Sequence, residues 1–193
     1  VVLRGRFALF GDLNQSLEKD GIRKWEEIPK VIEEAKSAAK FKLVTNYRST
    51  KQIIKFANEI LKPFTRKYLP KSINRVGEEP LVEISRSSIE MTQKFIENFS
   101  KEVKKVEKSI GVIVFESPNF RFNDVKKEIN EIEINGIKNN FIELNSKQKT
   151  TYIPNGVYFM KADDCKGLEF SKVYVLNLNL KKIRTFYKAK EAF

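Results

Sequence analysis

The run Ile110-Gly111-Val112-Ile113-Val114-Phe115 constrains this chain more than any other feature. With no polar side chain in it, neither face of an extended strand can meet water, so the run suits a strand covered on both sides. Such a strand needs sheet neighbours and flanking layers, and the surrounding sequence offers them. From about Ile89 to Val106, residues Phe95, Ile96, Phe99 and Val103 fall on one side at helical spacing. Phe122 to Ile134 reads as another helix. Leu81 to Ser85, Asn140 to Leu144, Val157 to Met160 and Val173 to Leu178 read as strands, and Ser146 to Tyr152 reads as a loop.

The first part of the chain repeats the alternation. Residues 6 to 10 (RFALF) form a short apolar run that stops at Gly11-Asp12, and residues 26 to 39 carry a helical stripe. Phe41 to Thr45 reads as a strand. Ser49 or Thr50 then offers an N-cap for a helix whose stripe is Ile53, Ile54, Phe56, Ala57, Ile60 and Leu61. Pro63 and Pro70 mark the loop that follows. Strands alternating with helices predict an α/β fold with a mainly parallel sheet, and a single domain over 1–193 is the economical expectation.

Composition removes several function classes. The chain has 37 Lys plus Arg against 25 acids, a formal charge of +12 and a pI near 9.6. That excess fits either a polyanionic partner, through phosphate neutralisation, or a Lys-rich solvated surface. There is no histidine, which excludes a His-based catalytic base, a Ser-His-Asp triad and the usual His-containing zinc sites. The lone Cys165 excludes an internal disulfide and fits a reducing, cytoplasmic setting. No apolar run approaches the roughly 20 residues of a spanning helix, and the start does not read as a signal peptide.

Three segments carry chemistry. In LFGDLNQSL (9–17), Gly11 permits a sharp turn after a strand, and the Gln15 amide can donate to one oxygen while accepting from water. In LVTNYRSTKQIIKFANEIL (43–61), Arg48 is permanently charged and can grip phosphate oxygens with its fork. Tyr47 offers a flat ring for stacking. In CKGLEFSKVYVLNL (165–178), Gly167 permits close backbone approach and the Glu169 carboxylate can accept from ribose hydroxyls. Lys166 is either a phosphate contact or a solvated lysine.

Their order resembles motifs III, IV and V of UvrD/Rep-type superfamily-1 DNA helicases. The resemblance implies a RecA-like three-layer sandwich with a mainly parallel sheet and no P-loop of its own. It makes 1–193 the C-terminal RecA-like domain of a larger protein, with 1–25 the motif III segment and linker. It places Tyr47 against adenine and Arg48 at the γ-phosphate, with Gln15 as the sensor beside it. Arg48 and Gln15 become the catalytic pair, and Gln15, Tyr47, Arg48, Gly167 and Glu169 the nucleotide contacts. Lys166 and Asn46 are assigned to nucleic acid. The implied cofactor is ATP with Mg2+, and the implied partners are the N-terminal RecA-like domain, which would supply P-loop and Mg2+ ligands, and single-stranded DNA.

The sequence departs from that pattern at several places. None of its 8 glycines is followed by Lys, so there is no GxxxxGK[ST] segment. Asp163 stands where many members have a histidine, and an acid there repels a DNA phosphate. Ser171 stands where an aspartate is usual. FYKAKEAF (186–193) has Ala192 in place of the motif VI arginine, so the chain is expected to end before motif VI. Lys166 lies only 118 positions after Arg48, too few for the large inserted subdomain of UvrD and Rep. The compact form is closer to the HelD-like branch, which makes an RNA-polymerase-binding ATPase module the alternative reading. A nonspecific basic nucleic-acid-binding domain is a third.

Overall fold

In the computed structural model the described residues are 11, 25–28, 32, 39, 41–63, 69–145 and 152–178. The 6–10 run, most of the 26–39 helix, Gln15 and most of the 146–152 loop lie outside them. The described chain divides between Leu81 and Val82 into two compact units.

The second unit is built on a four-stranded sheet of β3 (Ile110–Val114), β6 (Ile142–Leu144), β7 (Val157–Lys161) and β8 (Lys172–Leu176). Its order is β6-β7-β3-β8 and every pairing is parallel. The IGVIV run is therefore the inner strand that its composition requires, with Val112 between Phe159 and Tyr174. The protein is α/β with a parallel sheet, as the alternation predicts.

One face of the sheet carries the main core. Helix α2 (Ser88–Glu102) starts where the Ser87 hydroxyl accepts from the Glu90 N–H, and the Glu90 carboxylate reaches back to the Arg86 N–H. It lays Phe95 and Fully buried Phe99 against the sheet; their rings stack 5.0 Å apart, and each meets Tyr174 edge-on at 5.6 Å. Helix α3 (Phe122–Asn130) stacks Phe122 on Phe159 at 4.3 Å. At the rim, the Tyr174 hydroxyl donates to Glu102, which also pairs with Lys172. Burial, together with that carboxylate, pushes the Tyr174 phenol well above its ordinary value.

Both helices are shorter than their apolar patterns suggest, for one reason. Glu133–Ile134 (β4) and Ile137–Lys138 (β5) form a hairpin around Asn135-Gly136, both with positive φ (53° and 76°). An Asn-Gly pair of that geometry overrides helical periodicity and ends α3. Asn135 then donates its N–H to the Val103 carbonyl, and its side chain accepts from the Val106 N–H. Those two bonds stop α2 at Glu102, four residues before the expected Val106.

The first unit contains a two-residue parallel ladder, β1 (Thr45–Asn46) with β2 (Lys71–Ser72), and helix α1 (Lys51–Leu61). Thr50 is the N-cap, with its hydroxyl accepting from the Ile53 N–H. Of the expected stripe only Ile54 is buried; Ile53 is 46% exposed. The expected strand over Phe41–Thr45 shrinks to its last residue plus Asn46, because Phe41 and Leu43 have nothing packed on them (91% and 92% exposed). Leu81 to Ser85 forms no ladder, and Leu81 and Ile84 are equally exposed. Among the described residues no helix is long and apolar enough to cross a membrane.

Truncating Phe99 leaves a cavity between α2 and β8. Phe99→Ala is expected to cost about 3–5 kcal/mol, read as a lower denaturant midpoint.

Candidate functional site

The Asn46-Tyr47-Arg48-Ser49 segment leaves β1 as a tight turn. The Asn46 side-chain oxygen accepts from the Arg48 N–H at 2.9 Å and the Ser49 N–H at 2.8 Å, an Asx-type arrangement that folds the chain back on itself. That oxygen is thus spent on the turn, so in this structure Asn46 shapes the loop. The turn throws Tyr47 outward with 72% of its surface exposed. Arg48 is exposed beside it, one residue from the cap region of α1.

A segment with no sequence signature braces this turn. The Lys51 N–H donates to the Arg75 carbonyl at 2.8 Å, and the Gly77 N–H donates to the Gln52 side chain at 2.9 Å. The Arg75 guanidinium donates to the Arg48 carbonyl at 3.1 Å. Gly77 lies against Thr50 so closely that a Cβ there would stand 2.5 Å from the Thr50 methyl. Arg75 is the residue that sequence reasoning missed, because 27 positions separate it from the arginine it supports.

In the second unit, the Lys166-Gly167-Leu168-Glu169-Phe170 segment runs from the carboxyl end of β7 back to the amino end of β8. A 3-10 turn, Ala162–Asp164, in which Asp163 is exposed, leads from β7 into it. Gly167 then adopts φ +79°, a conformation that favours glycine, and beyond its chain neighbours no atom lies within 4 Å of where a Cβ would stand, so the space beside it is open. Lys166 and Glu169 are exposed.

Phe170 anchors the segment. Gly111, on the sheet face opposite α2 and α3, leaves a notch in which a Cβ would lie 2.5 Å from the Phe170 ring. Tyr158, level with Gly111 on the neighbouring strand, holds the ring from the side at 5.3 Å. The Ser171 N–H donates to the buried Ser109 at its carbonyl and hydroxyl, and the Lys172 N–H shares that carbonyl. Cys165, half-buried, donates to the Ala162 carbonyl at 3.0 Å and so is built into the turn, and burial raises its thiol.

No family model matches the chain, and no curated protein or solved structure matches it. The chemistry of the site therefore rests on the residues themselves.

Other charges gather at the carboxyl ends of the strands, where ligands collect in open α/β sheets. Glu116 accepts from the Phe122 N–H at 2.9 Å and pairs with Lys161 at 2.8 Å. The hydrogen bond that Lys161 donates to Glu116 holds its ammonium above the usual lysine value. Asn177 donates to the Phe115 carbonyl and to Ser117. These groups satisfy one another and tie the ends of β3, β7 and β8 together. Among the described residues no cluster of His, Cys, Asp or Glu side chains is arranged to hold a metal ion.

The structure thus groups Asn46, Tyr47 and Arg48 with Lys51 and Arg75 in one unit. Lys166, Gly167 and Glu169 belong to the other, with Phe170 and Gly111. Gln15 lies outside the described residues.

Overpacking at Gly111 should dislodge the segment. Gly111→Ala is expected to destabilise the chain by about 1–3 kcal/mol. Adding Phe170→Ala should cost less than the sum of the two single changes, measured as a double-mutant cycle of unfolding free energies.

Proposed function

We propose that this chain is the P-loop-free motor half of an ATP-dependent superfamily-1 helicase or translocase, forming one wall of a nucleotide site between two RecA-like domains. The observation that carries this reading is the Asn46–Ser49 turn. It spends side-chain and backbone hydrogen bonds to hold a flat, 72% exposed Tyr47 ring next to an exposed arginine. A large ring kept in water gains nothing for folding, whereas beside a guanidinium it suits a base and a phosphate. The open backbone at Gly167 and the exposed Glu169 carboxylate favour the same reading through ribose contacts.

In this reading the parallel sheet belongs to a RecA-like three-layer sandwich in a cytoplasmic protein. Tyr47 stacks on the adenine, Glu169 accepts from ribose hydroxyls and Arg48 faces the γ-phosphate. Gln15 orients water there. ATP arrives with Mg2+ whose ligands, with the P-loop, come from the N-terminal RecA-like domain. Arg48 then stabilises charge building up on the transferred phosphoryl oxygens, as an arginine finger does. Lys166 contributes to single-stranded DNA binding, and closure of the two domains on nucleotide moves them along the strand.

Two measurements test this. The 193-residue chain alone should show no ATP turnover, and appreciable turnover would sink the split site. In the protein carrying the P-loop, Arg48→Ala should lower turnover by about 10³-fold or more without changing the folded fraction. Hydrolysis that survived the change would remove Arg48 from the reaction.

The second reading is a HelD-like ATPase module that docks on RNA polymerase and does not unwind DNA. The exposed Asp163, next to the segment assigned to DNA, favours it. ATP hydrolysis without strand displacement by the P-loop-bearing protein decides for this reading.

A further inference from the structure

We infer that Asn46 is a positioning residue for Arg48: its side-chain oxygen aims the guanidinium at the phosphoryl oxygens without touching them. This deepens the nucleotide reading above and rests on it for what Arg48 does. It gives Asn46 a different task from the nucleic-acid contact that the motif resemblance implies.

The direction in which a side chain leaves the backbone is set by the two peptide planes that flank its Cα. Each plane is rigid, and only φ and ψ turn between them. At Arg48 both planes are held by side chains. The plane before its Cα carries the Arg48 N–H, and the plane after it carries the Arg48 carbonyl and the Ser49 N–H. The Asn46 oxygen accepts from both N–H groups, at 2.9 and 2.8 Å. The Arg75 guanidinium donates to the Arg48 carbonyl at 3.1 Å, so the second plane is held at both edges. With φ and ψ fixed in this way, the freedom left to Arg48 is rotation within its own side chain. The same bonds reach Tyr47 only through the plane that it shares with Arg48.

The groups that do the holding are themselves anchored. Asn46 ends β1, where it pairs with Ser72, and the Lys71 N–H donates to the Val44 carbonyl in the same ladder. Beyond the turn, Thr50 caps α1. Arg75 is tied to the first turn of α1 through the Lys51 N–H, and Gly77 through the Gln52 side chain. Asn46 therefore acts from a fixed strand end on a peptide that lies just before a fixed helix. Asn and Asp carry the acceptor that this turn needs, Ser supplies a weaker one and Ala none.

Such a device bears on the reaction more than on binding. A donor that meets charge developing in the transition state is effective when it is already in place, and a misplacement of about 1 Å costs about 10²-fold. ATP affinity draws on the Tyr47 ring and the Glu169 carboxylate as well, so it is less sensitive to the turn.

The test joins kinetics of the P-loop-bearing protein to amide exchange in the 193-residue chain. Asn46→Ala should lower kcat for ATP by about 10- to 100-fold while KM stays within about threefold. Asn46→Asp, which keeps the acceptor, should stay within about fivefold of wild type in kcat, and Asn46→Ser should fall between the two. In an Arg48→Ala background Asn46→Ala should cost nothing further, because both changes remove one function. In the 193-residue chain the Arg48 and Ser49 amides should exchange faster in Asn46→Ala than in wild type or Asn46→Asp, with α1 unchanged. Where Asn46→Ala loosens α1 too, Asn46→Ser is compared in its place. The inference is overturned by a wild-type kcat in Asn46→Ala, by a loss confined to KM, or by a further loss in the Arg48→Ala background. Equal exchange of the two amides with and without the Asn46 acceptor overturns it as well. Failure of the nucleotide reading looks different: Arg48→Ala itself then leaves turnover intact, while the exchange difference at Arg48 and Ser49 persists.

Discussion

The ring of Phe170 sits where a side chain at position 111 would otherwise be, and much of the second unit depends on that contact. The inner strand of a parallel sheet normally fills both faces with branched side chains. Here one face does so, under α2 and α3, while the other leaves a notch at Gly111 and receives an aromatic residue from a connection 59 positions later in the chain. With Phe170 seated, Ser171 and Lys172 reach Ser109, β8 is aligned on β3, and the exposed Lys166–Glu169 stretch is stretched between two fixed ends. The same contact that completes the sheet therefore determines where the loop's polar groups stand.

The turn at Asn46 solves the corresponding problem in the first unit by hydrogen bonding, with little burial. Its neighbours are mostly half-exposed, and only Ile54 of α1 is buried. The geometry of Tyr47 and Arg48 comes from a side-chain oxygen, two backbone amides and the bracing 75–77 segment. A site made this way is sensitive to small polar changes and tolerant of apolar ones, the reverse of the segment held by Phe170.

The parallel sheet was legible in the sequence because its signal is strong and local: an apolar hexapeptide, and flanking stripes at helical spacing. The helix at Lys51 was legible from Thr50 and the stripe after it. The lengths of α2 and α3 were not, because Ile132 and Ile134 continue a helical pattern while being buried from a hairpin. Asn135-Gly136 was the readable sign of that hairpin, and periodicity obscured it. The exposed strand candidates, Phe41–Val44 and Leu81–Ser85, show apolar residues without a ladder partner, which no local pattern reveals. Of the candidate site, the residue types at Tyr47, Arg48 and Gly167 could be read directly. Arg75 and Gly111 could not, since their meaning lies in contacts with residues far along the chain.

The placement of β3 between two later strands also dictates an order of events during synthesis. Ile110 pairs with Val157 on one side and Lys172 on the other, so the most apolar strand emerges long before either neighbour exists. Until Lys161 has left the ribosome, the IGVIV segment has only α2 and α3 to lie against and both its hydrogen-bonding edges are open; one edge stays open until Leu176 follows. An uncharged, β-prone segment in that state is prone to pair with its own kind. The lysines on either side, Lys105 and Lys108 before it and Lys126 and Lys127 after it, place like charge next to that segment on every nascent copy and oppose such pairing.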